Sequence, residues 1–198
     1  MAACSQTGTG VGPLNQVGFG GGCHWCTEAV FQALKGVVAV RQGFIRSDPP
    51  HDSWSEAVEV DFDPDGISLE DLVAVHLATH ASQSAHKLRG KYRSAVYVLT
   101  PGHAASVETA LAGIASDTGA VFVTQALPHR GFRPSDDRFQ NYHARDPLRP
   151  FCQTYIDPKL AGLRKDFARL IKVSPVRGDA VRSCPPSGPG LAARRECA

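Results

Sequence analysis

The chain has 198 residues, the length of one ordinary domain, and 42% of them are hydrophobic while 20% are charged. Lys and Arg number 21 against 19 Asp and Glu, a net charge of +2 that excludes the basic surface of a nucleic-acid-binding protein. No apolar run reaches the ~18 residues of a membrane span, and residues 1–10 lack the basic and apolar regions of a signal peptide. We therefore expect a cytoplasmic protein that uses neither membrane nor nucleic acid.

Composition divides the chain into three parts. Residues 16–173 contain all the predicted strands and helices, and we expect them to form a single catalytic domain. Residues 1–15 are expected to be a flexible arm. Residues 174–198 are rich in Pro, Gly, Ser and Arg, with few large apolar side chains. They are expected to be a flexible tail, because such a segment cannot bury enough apolar surface to become ordered.

Apolar spacing and capping residues indicate the order of the secondary structure. In chain order the predicted elements are a strand at 16–20, a helix at 23–35, strands at 37–45 and 57–62, a helix starting at Ser68, a strand at 94–99, a helix at 100–115, a strand at 120–126 and a helix from Asp157 to Ile171. The first six elements predict an α+β protein whose core is a ferredoxin-like βαββαβ two-layer sandwich, with both helices on one face of the sheet. The added helix, strand and C-terminal helix would surround that core.

Cys23 follows a predicted strand and three glycines and begins a predicted helix. At a helix N-terminus the unpaired backbone N–H groups and the helix dipole favour a thiolate. The glycines allow close approach to a substrate, and Trp25 offers a wall for a small apolar group. The layout is typical of a nucleophilic cysteine, and Cys26 adds a second thiol three residues later.

A Cys-x-x-Cys pair is also half of a zinc site. His76 and His80, spaced i, i+4 on a predicted helix, would supply the other two ligands of a non-catalytic zinc or scaffold module. The 49 residues between Cys26 and His76 exceed the spacing of zinc fingers, so we favour a protein with no metal and no cofactor.

Four motifs in order resemble the type A peptide methionine sulfoxide reductases, which act on the S epimer of the sulfoxide. They are Gly-Gly-Cys-His-Trp-Cys-Thr-Glu at 21–28, Ser-Glu-Ala-Val-Glu-Val-Asp-Phe-Asp-Pro at 55–64, Lys-Tyr-Arg-Ser-Ala-Val-Tyr at 91–97, and Asp-Pro followed by Phe-Cys within 146–152. The resemblance covers residues 17–158. It implies an elaborated ferredoxin-like α/β sandwich, in agreement with the predicted strand order.

The resemblance implies a role for each matched residue. Cys23 corresponds to the cysteine that attacks the sulfoxide sulfur, Glu56 to the acid that protonates the oxygen, and Tyr92 to a tyrosine that hydrogen-bonds that oxygen. Trp25 corresponds to the pocket tryptophan. The product on the cysteine is a sulfenic acid, which condenses with a second thiol to a disulfide. Cys152 falls where many members have a resolving cysteine, and thioredoxin would return the disulfide to the dithiol.

Two departures from the family motif bring new chemistry to the helix start. His24 replaces a pocket phenylalanine, and a titratable imidazole there is expected to help hold Cys23 as a thiolate. Cys26 replaces a glycine, and we predict that it is a resolving cysteine or competes with Cys152 for that role.

Other departures remove polar groups from the expected substrate pocket. Phe44 stands where the family has a tyrosine that assists at the oxygen, and Lys87 or Leu88 stands where it has an aspartate. Phe139 replaces a histidine. Loss of one donor to the oxygen is expected to cost ~1–3 kcal/mol of transition-state binding. A reductase of another sulfoxide is therefore an alternative.

A thioredoxin-like disulfide oxidoreductase built on Cys23 and Cys26 is a second alternative. It leaves Glu56 and Tyr92 unexplained. It also needs a proline facing the thiols, for which Pro128 is the candidate.

Overall fold

The computed structural model describes residues 15–172. The predicted arm at 1–15 and tail at 174–198 thus lie outside the described residues, apart from Asn15, which begins the first strand. Within the described part of the chain, no helix is both long and apolar enough to span a bilayer.

Six strands form one mixed sheet. They are β1 (Asn15–Gly20), β2 (Val37–Arg46), β3 (Ser55–Phe62), β4 (Ala95–Val98), β5 (Gln125–Pro128) and β6 (Gly131–Pro134). Their order across the sheet is β5-β4-β1-β3-β2-β6. Neighbours are antiparallel except β4 and β5, which run parallel.

Helices connect and cover these strands. They are α1 (His24–Gln32), α2 (Leu69–Thr79), α3 (Pro101–Thr118), α4 (Tyr142–Arg145) and α5 (Asp157–Asp166), and a π-helical turn (Cys152–Ile156) runs directly into α5. The chain follows the predicted order β1-α1-β2-β3-α2-β4, and these four strands lie side by side as β4-β1-β3-β2. The predicted α+β class is confirmed.

The helices pack on one face of the sheet. Alternate strand residues point to that face, and Phe19 of β1 and Val60 of β3 are fully buried there with Phe31 of α1. The rings of Phe19 and Phe31 stack with centroids 4.3 Å apart. Burying a side chain of this size contributes ~1.5–3 kcal/mol. The opposite face buries a smaller cluster that includes Ile45 and Tyr97.

Side-chain caps begin two helices at the predicted residues. Ser68 Oγ accepts a hydrogen bond from Asp71 N at 3.0 Å before α2, and Thr100 Oγ1 accepts one from His103 N at 3.2 Å before α3. Each bond satisfies a backbone N–H that the helix itself leaves free. Gly119 ends α3 with a left-handed φ of 68°, a conformation that glycine adopts without strain.

The strand predicted at 120–126 is displaced along the sequence. β5 begins only at Gln125, and Val121 is 81% exposed. The backbone N–H of Val123 donates to the carbonyl of Ser82 rather than to a neighbouring strand. Residues 120–124 therefore do not pair with a neighbouring strand, although their apolar pattern is typical of a strand. β6 was not predicted, because it is four residues long and contains a glycine and a proline.

The first and last predicted helices both end early. α1 stops at Gln32 and α5 at Asp166. Beyond these ends the two segments bond to each other, with Lys35 N donating to Leu170 O at 2.7 Å. Because these backbone groups already have partners, neither helix continues to the residue that its apolar spacing predicts.

Candidate active site

Cys23 is the N-cap residue of α1. β1 ends at Gly20, and the next two glycines lead the chain into the helix. A Cβ on Gly21 would lie 2.6 Å from the ring of His80, so only glycine allows the backbone to pass this close. The structure thus places Cys23 at a helix N-terminus, where backbone N–H groups face its thiol.

The surroundings of Cys23 lower the pKa of its thiol. The largest cause is a hydrogen bond from the Cys26 thiol, and the backbone N–H groups of Trp25 and Cys26 act in the same direction. Burial and the negative charge of Glu56 oppose them. Each donor stabilises the thiolate, which is the nucleophilic form of cysteine.

The role predicted for His24 at the Cys23 thiol stays a prediction, and the structure shows which groups orient its ring. Nδ1 of His24 lies 2.9 Å from the carbonyl oxygen of Gly43 and 3.9 Å from Oε2 of Glu56. The ring is therefore oriented by β2 and β3, while the largest cause of the lowered pKa of Cys23 is the Cys26 thiol.

The described residues include three cysteines, Cys23, Cys26 and Cys152, and all three are free thiols. The Cys26 thiol donates to Cys23, and this bond together with burial raises the pKa of Cys26 strongly. Cys152 is fully buried, and its Sγ donates to the carbonyl oxygen of Asp146 at 3.5 Å. Burial also raises the pKa of Cys152, whose charge in turn raises that of Cys26. The pKa of Cys26 is therefore raised by both of the other thiols.

Glu56 is a buried carboxyl group on β3, with 8% of the residue exposed. The backbone N–H of His24 donates to its Oε2 at 3.3 Å. Its Oε1 lies 3.4 Å from Nζ of Lys91. One oxygen is thus oriented by the first residue of α1, while the other faces a cation.

Aromatic rings surround the start of α1. Trp25 stacks on Tyr142 with centroids 4.1 Å apart and an interplanar angle of 1°, and Phe151 meets the indole edge-on at 5.3 Å. His24 lies 6.1 Å from Trp25 and 5.5 Å from Phe44. The three predicted pocket residues are therefore brought together, and Tyr142 and Phe151 extend their wall.

Phe44 is the strand partner of Glu56, and Tyr92 is linked to the Glu56 carboxyl group through Lys91. Phe44 is paired with Glu56 across β2 and β3, and paired residues place their side chains on the same face. The ring of Tyr92 lies 4.9 Å from Nζ of Lys91, the same ammonium group that contacts Glu56. Lys91 was not singled out from the sequence, since its contact is created by the pairing of distant segments.

Glu28 is a second residue whose role the sequence did not reveal. It is 1% exposed, and its carboxylate accepts hydrogen bonds from the backbone N–H groups of Asn141 at 2.7 Å and Tyr142 at 2.9 Å and from Nε2 of Gln42 at 3.2 Å. Burial raises its pKa, and the two backbone donors act against this. These bonds hold the Tyr142 segment against α1, where the tyrosine covers Trp25. The sequence signal for this role is that Glu28 is an acidic residue on the apolar side of a predicted helix.

A cavity of about 320 Å³ lies beside Cys23 and Cys26. Its walls are formed by Gly21, Gly22, Cys23, Cys26, Thr27, Val30, His76, Thr79, His80, Ala81, Phe151, Tyr155 and Lys159. The four residues of the zinc alternative all face this space, and the rings of His76 and His80 stack at 4.1 Å. Across residues 15–172, however, no three His, Cys, Asp or Glu side chains are arranged to hold a metal ion.

The thioredoxin-like alternative requires a proline that faces the thiols, and Pro128 does not face them. It pairs with Val98 at one end of β4, whereas Gly20, which leads to the thiols, pairs with Ala95 at the other end. Three residues of strand separate these pairs by ~10 Å.

An activated thiol, a neighbouring thiol and a buried carboxyl group together define a thiol-dependent oxidoreductase. The family model described as peptide methionine sulfoxide reductase matches residues 15–170. The peptide methionine sulfoxide reductase MsrA of Deinococcus radiodurans is 34% identical over 170 residues, covering 78% of this chain and 82% of that protein. MsrA of Acinetobacter baumannii is 30% identical over 173 residues, covering 80% and 99%.

Solved structures show the same fold. Methionine sulfoxide reductase A of Corynebacterium diphtheriae superposes with a TM-score of 0.58 at 23% identity, covering 68% of this chain and 76% of that one. Reduced Mxr1 from Saccharomyces cerevisiae gives 0.57 at 18% identity, covering 72% and 91%. The chain belongs to the type A peptide methionine sulfoxide reductase family, and the family resemblance predicted from its motifs is confirmed.

Proposed function

We propose that this protein reduces the S epimer of methionine sulfoxide, in peptides or as the free amino acid, with Cys23 as its nucleophile. The observation that carries the proposal is the position of Cys23 at the start of α1. Its thiol pKa is lowered there, one residue before the backbone N–H that binds the buried Glu56. A sulfoxide needs both groups, because its oxygen leaves only when it is protonated.

In the first step the Cys23 thiolate attacks the sulfoxide sulfur while Glu56 transfers a proton to the oxygen. The substrate sulfur gains two electrons and leaves as methionine. Cys23 loses two electrons and becomes a sulfenic acid that holds the oxygen as a hydroxyl. Lys91, 3.4 Å from Oε1, stabilises the carboxylate that proton transfer leaves on Glu56.

The aromatic wall around α1 receives the methyl group of the substrate. Trp25 is held flat against Tyr142, and His24 and Phe44 continue the wall toward Glu56. Tyr92 reaches this region beside Lys91 and supplies a hydroxyl for the sulfoxide oxygen. Rings fixed by stacking lose little freedom on binding, which favours a small apolar group over water.

Cys26 resolves the sulfenic acid in this proposal. Its thiol already donates to Cys23, so the Cys23–Cys26 disulfide forms with release of water between neighbours on one helical turn. Cys152 is the second candidate for the resolving role. It lies close enough to Cys26 to affect its pKa, yet it is fully buried.

Thioredoxin is the proposed reductant of the disulfide, and no cofactor takes part. A solved structure of yeast Mxr1 in complex with Trx2 resembles this fold with a TM-score of 0.50 at 16% identity, covering 65% of this chain and 84% of that one. Transfer of the partner to this protein rests on the shared fold and on the thiol pair at the start of α1.

The decisive test is reduction of peptides that carry either epimer of methionine sulfoxide, with dithiothreitol as reductant. We expect methionine only from the S epimer and none with Cys23→Ser. Consumption of the R epimer would contradict the assigned stereochemistry. If neither epimer is reduced and a non-methionine sulfoxide is consumed instead, the substrate is a sulfoxide of another class.

The resolving cysteine is tested by turnover with thioredoxin. Cys26→Ser should abolish this turnover while still forming one equivalent of methionine, and Cys152→Ser should retain most of it. The reverse pattern would assign the resolving role to Cys152.

A further inference from the structure

The cavity beside Cys23 meets the aromatic wall of the proposed mechanism at Phe151. None of Glu56, His24, Phe44 or Trp25 lines it, whereas both Cys23 and Cys26 do. A disulfide between these cysteines would therefore be reachable from a second direction. A volume of about 320 Å³ suits a small molecule.

The polar groups on the cavity wall favour an anion. Lys159, near the start of α5, is the one permanently charged side chain among the described lining residues. Its Nζ donates to the carbonyl of Thr79, which leaves two of its three N–H bonds for a ligand. The two imidazoles are uncharged at neutral pH, because burial lowers the pKa of His80 to about 4 and that of His76 further below its usual range.

His76 provides an independent sign that the cavity takes a ligand. The residue is 1% exposed, and its Nε2 is buried without a hydrogen-bond partner among the described residues. A buried polar atom without a partner costs ~1–3 kcal/mol. Since the ring lines the cavity, a ligand with a hydrogen-bonding group can supply the missing partner.

Leaving-group chemistry identifies the sulfur that the ligand attacks. In thiol–disulfide exchange the thiol of lower pKa leaves faster. The backbone N–H groups of Trp25 and Cys26 lower the pKa of Cys23 and remain in place to stabilise a departing Cys23 thiolate when the Cys26 sulfur is attacked. Attack on the Cys26 sulfur, with Cys23 as the leaving thiolate, is therefore the faster route, and the positive charge of Lys159 acts on Cys26.

We propose that this cavity binds a low-molecular-weight reductant carrying a thiol and a carboxylate, with the carboxylate on Lys159 and the thiolate directed at Sγ of Cys26. The inference rests on the proposed function, which supplies the Cys23–Cys26 disulfide. The reductant's thiolate forms a bond to Cys26, the Cys26–Cys23 bond breaks, and Cys23 leaves as a thiolate that is then protonated. A second molecule of the thiol attacks the reductant's sulfur and releases Cys26, so two thiols become one disulfide and two electrons enter the protein.

The test compares three thiols that differ in charge: 3-mercaptopropionate, 2-mercaptoethanol and cysteamine. The full chain is oxidised with diamide, and the rate constant for reduction of its disulfide is measured by alkylation and mass spectrometry. For each thiol, the rate constant of a Lys159 variant is divided by that of wild type, so that the intrinsic reactivity of the thiol cancels. Diamide oxidation makes this test independent of sulfoxide reduction, which is checked separately as one equivalent of methionine.

Charge reversal at Lys159 should shift the preference of the protein from the anionic thiol toward the cationic one. In Lys159→Glu the ratio of the 3-mercaptopropionate rate to the cysteamine rate should fall at least about tenfold, with Lys159→Met between Glu and wild type. Lys165→Glu makes the same charge change on the exposed side of α5 and should leave the ratio unchanged. A loss of folding would change the rates of all three thiols alike and leave no dependence on their charge. An unchanged ratio in Lys159→Glu would overturn the proposal.

The position of the mixed disulfide provides the second readout. Peptide mapping after a brief exposure to 3-mercaptopropionate should find the adduct on Cys26. An adduct on Cys23 would place the attack on the other sulfur and contradict the proposed site. Formation of methionine with neither a charge effect nor an adduct on Cys26 would leave the proposed function intact while removing this inference.

Discussion

The two sides of Cys23 differ in chemistry. On one side, here called the sulfoxide side, lie His24, Trp25, Phe44 and Glu56, which combine an aromatic wall with a buried carboxyl group. On the other, the thiol side, Cys26 and Lys159 line a cavity next to neutral imidazoles. The first side presents an acid to an oxygen, and the second presents a cation to a thiolate.

This difference matches the two roles of the Cys23 sulfur in the proposed cycle, first as nucleophile and then as leaving group. In the sulfoxide step Cys23 is the nucleophile, and the departing oxygen needs a proton. In the recycling step Cys23 is the leaving group, and the incoming thiolate needs a positive charge nearby. Glu56 does not line the cavity that contains Lys159, so each of these two groups serves one of the two steps.

Glu56→Gln should impair sulfoxide reduction without impairing the reactivity of the Cys23 thiol. We expect methionine formation to fall by ~10²–10⁴-fold, the usual contribution of a positioned acid. Alkylation of Cys23 should not slow, because Glu56 raises the pKa of that thiol and its removal favours the thiolate. Glu59→Gln, on the same strand but on the other face of the sheet, is the matched control and should retain activity. A Glu56→Gln enzyme within tenfold of wild type would contradict the role of the acid.

Glu28→Ala should weaken the aromatic wall through the fold. It leaves the backbone N–H groups of Asn141 and Tyr142 without their acceptor. Hydrogen bonds to a charged group contribute ~1.5–3 kcal/mol each, so we expect a loss of about 3 kcal/mol in the free energy of unfolding, measured with urea. Glu28→Gln retains one acceptor oxygen and should lose less. Equal losses in both variants would show that the hydrogen bonds are not the cause.

Cys26→Ala should raise the pKa of the Cys23 thiol, because it removes the largest donor to the thiolate. A higher pKa means less thiolate below neutral pH, so alkylation of Cys23 at pH 6 should slow by about tenfold per unit of pKa. Cys26→Ser keeps a hydroxyl donor and is the matched control. His24→Phe should leave the alkylation profile unchanged. A shift with His24→Phe rather than with Cys26→Ala would confirm the role that the sequence predicted for His24.

Phe44→Tyr should have the smallest effect and should be a gain. The added hydroxyl lies on the strand residue paired with Glu56, where it can donate to the sulfoxide oxygen. One hydrogen bond of ~0.5–1.5 kcal/mol corresponds to a rise of up to about tenfold in kcat/KM. The measurement is steady-state reduction of the S epimer. An unchanged or lower value would show that the hydroxyl does not reach the oxygen.

Several features were predictable because they depend on residues close in sequence. The strand, glycine run and helix around Cys23 and the caps at Ser68 and Thr100 are local, and the structure contains them where the sequence indicates. Ordered motifs likewise predicted the family. The strand at 120–126 and the long form of α5 were wrong, because backbone groups found partners elsewhere in the chain.

The sequence by itself determined the class of this protein: an α+β chain with a helix-terminal Cys-x-x-Cys and the motifs of a type A methionine sulfoxide reductase. Only the tertiary structure decided which distant groups surround the start of α1. The contacts of Glu56 with Lys91, of Glu28 with Tyr142 and of Lys159 with the cavity join segments far apart in the chain. Periodicity and local propensity report a residue's own element, whereas charge, burial and hydrogen bonding act through space and depend on the packing of all the elements.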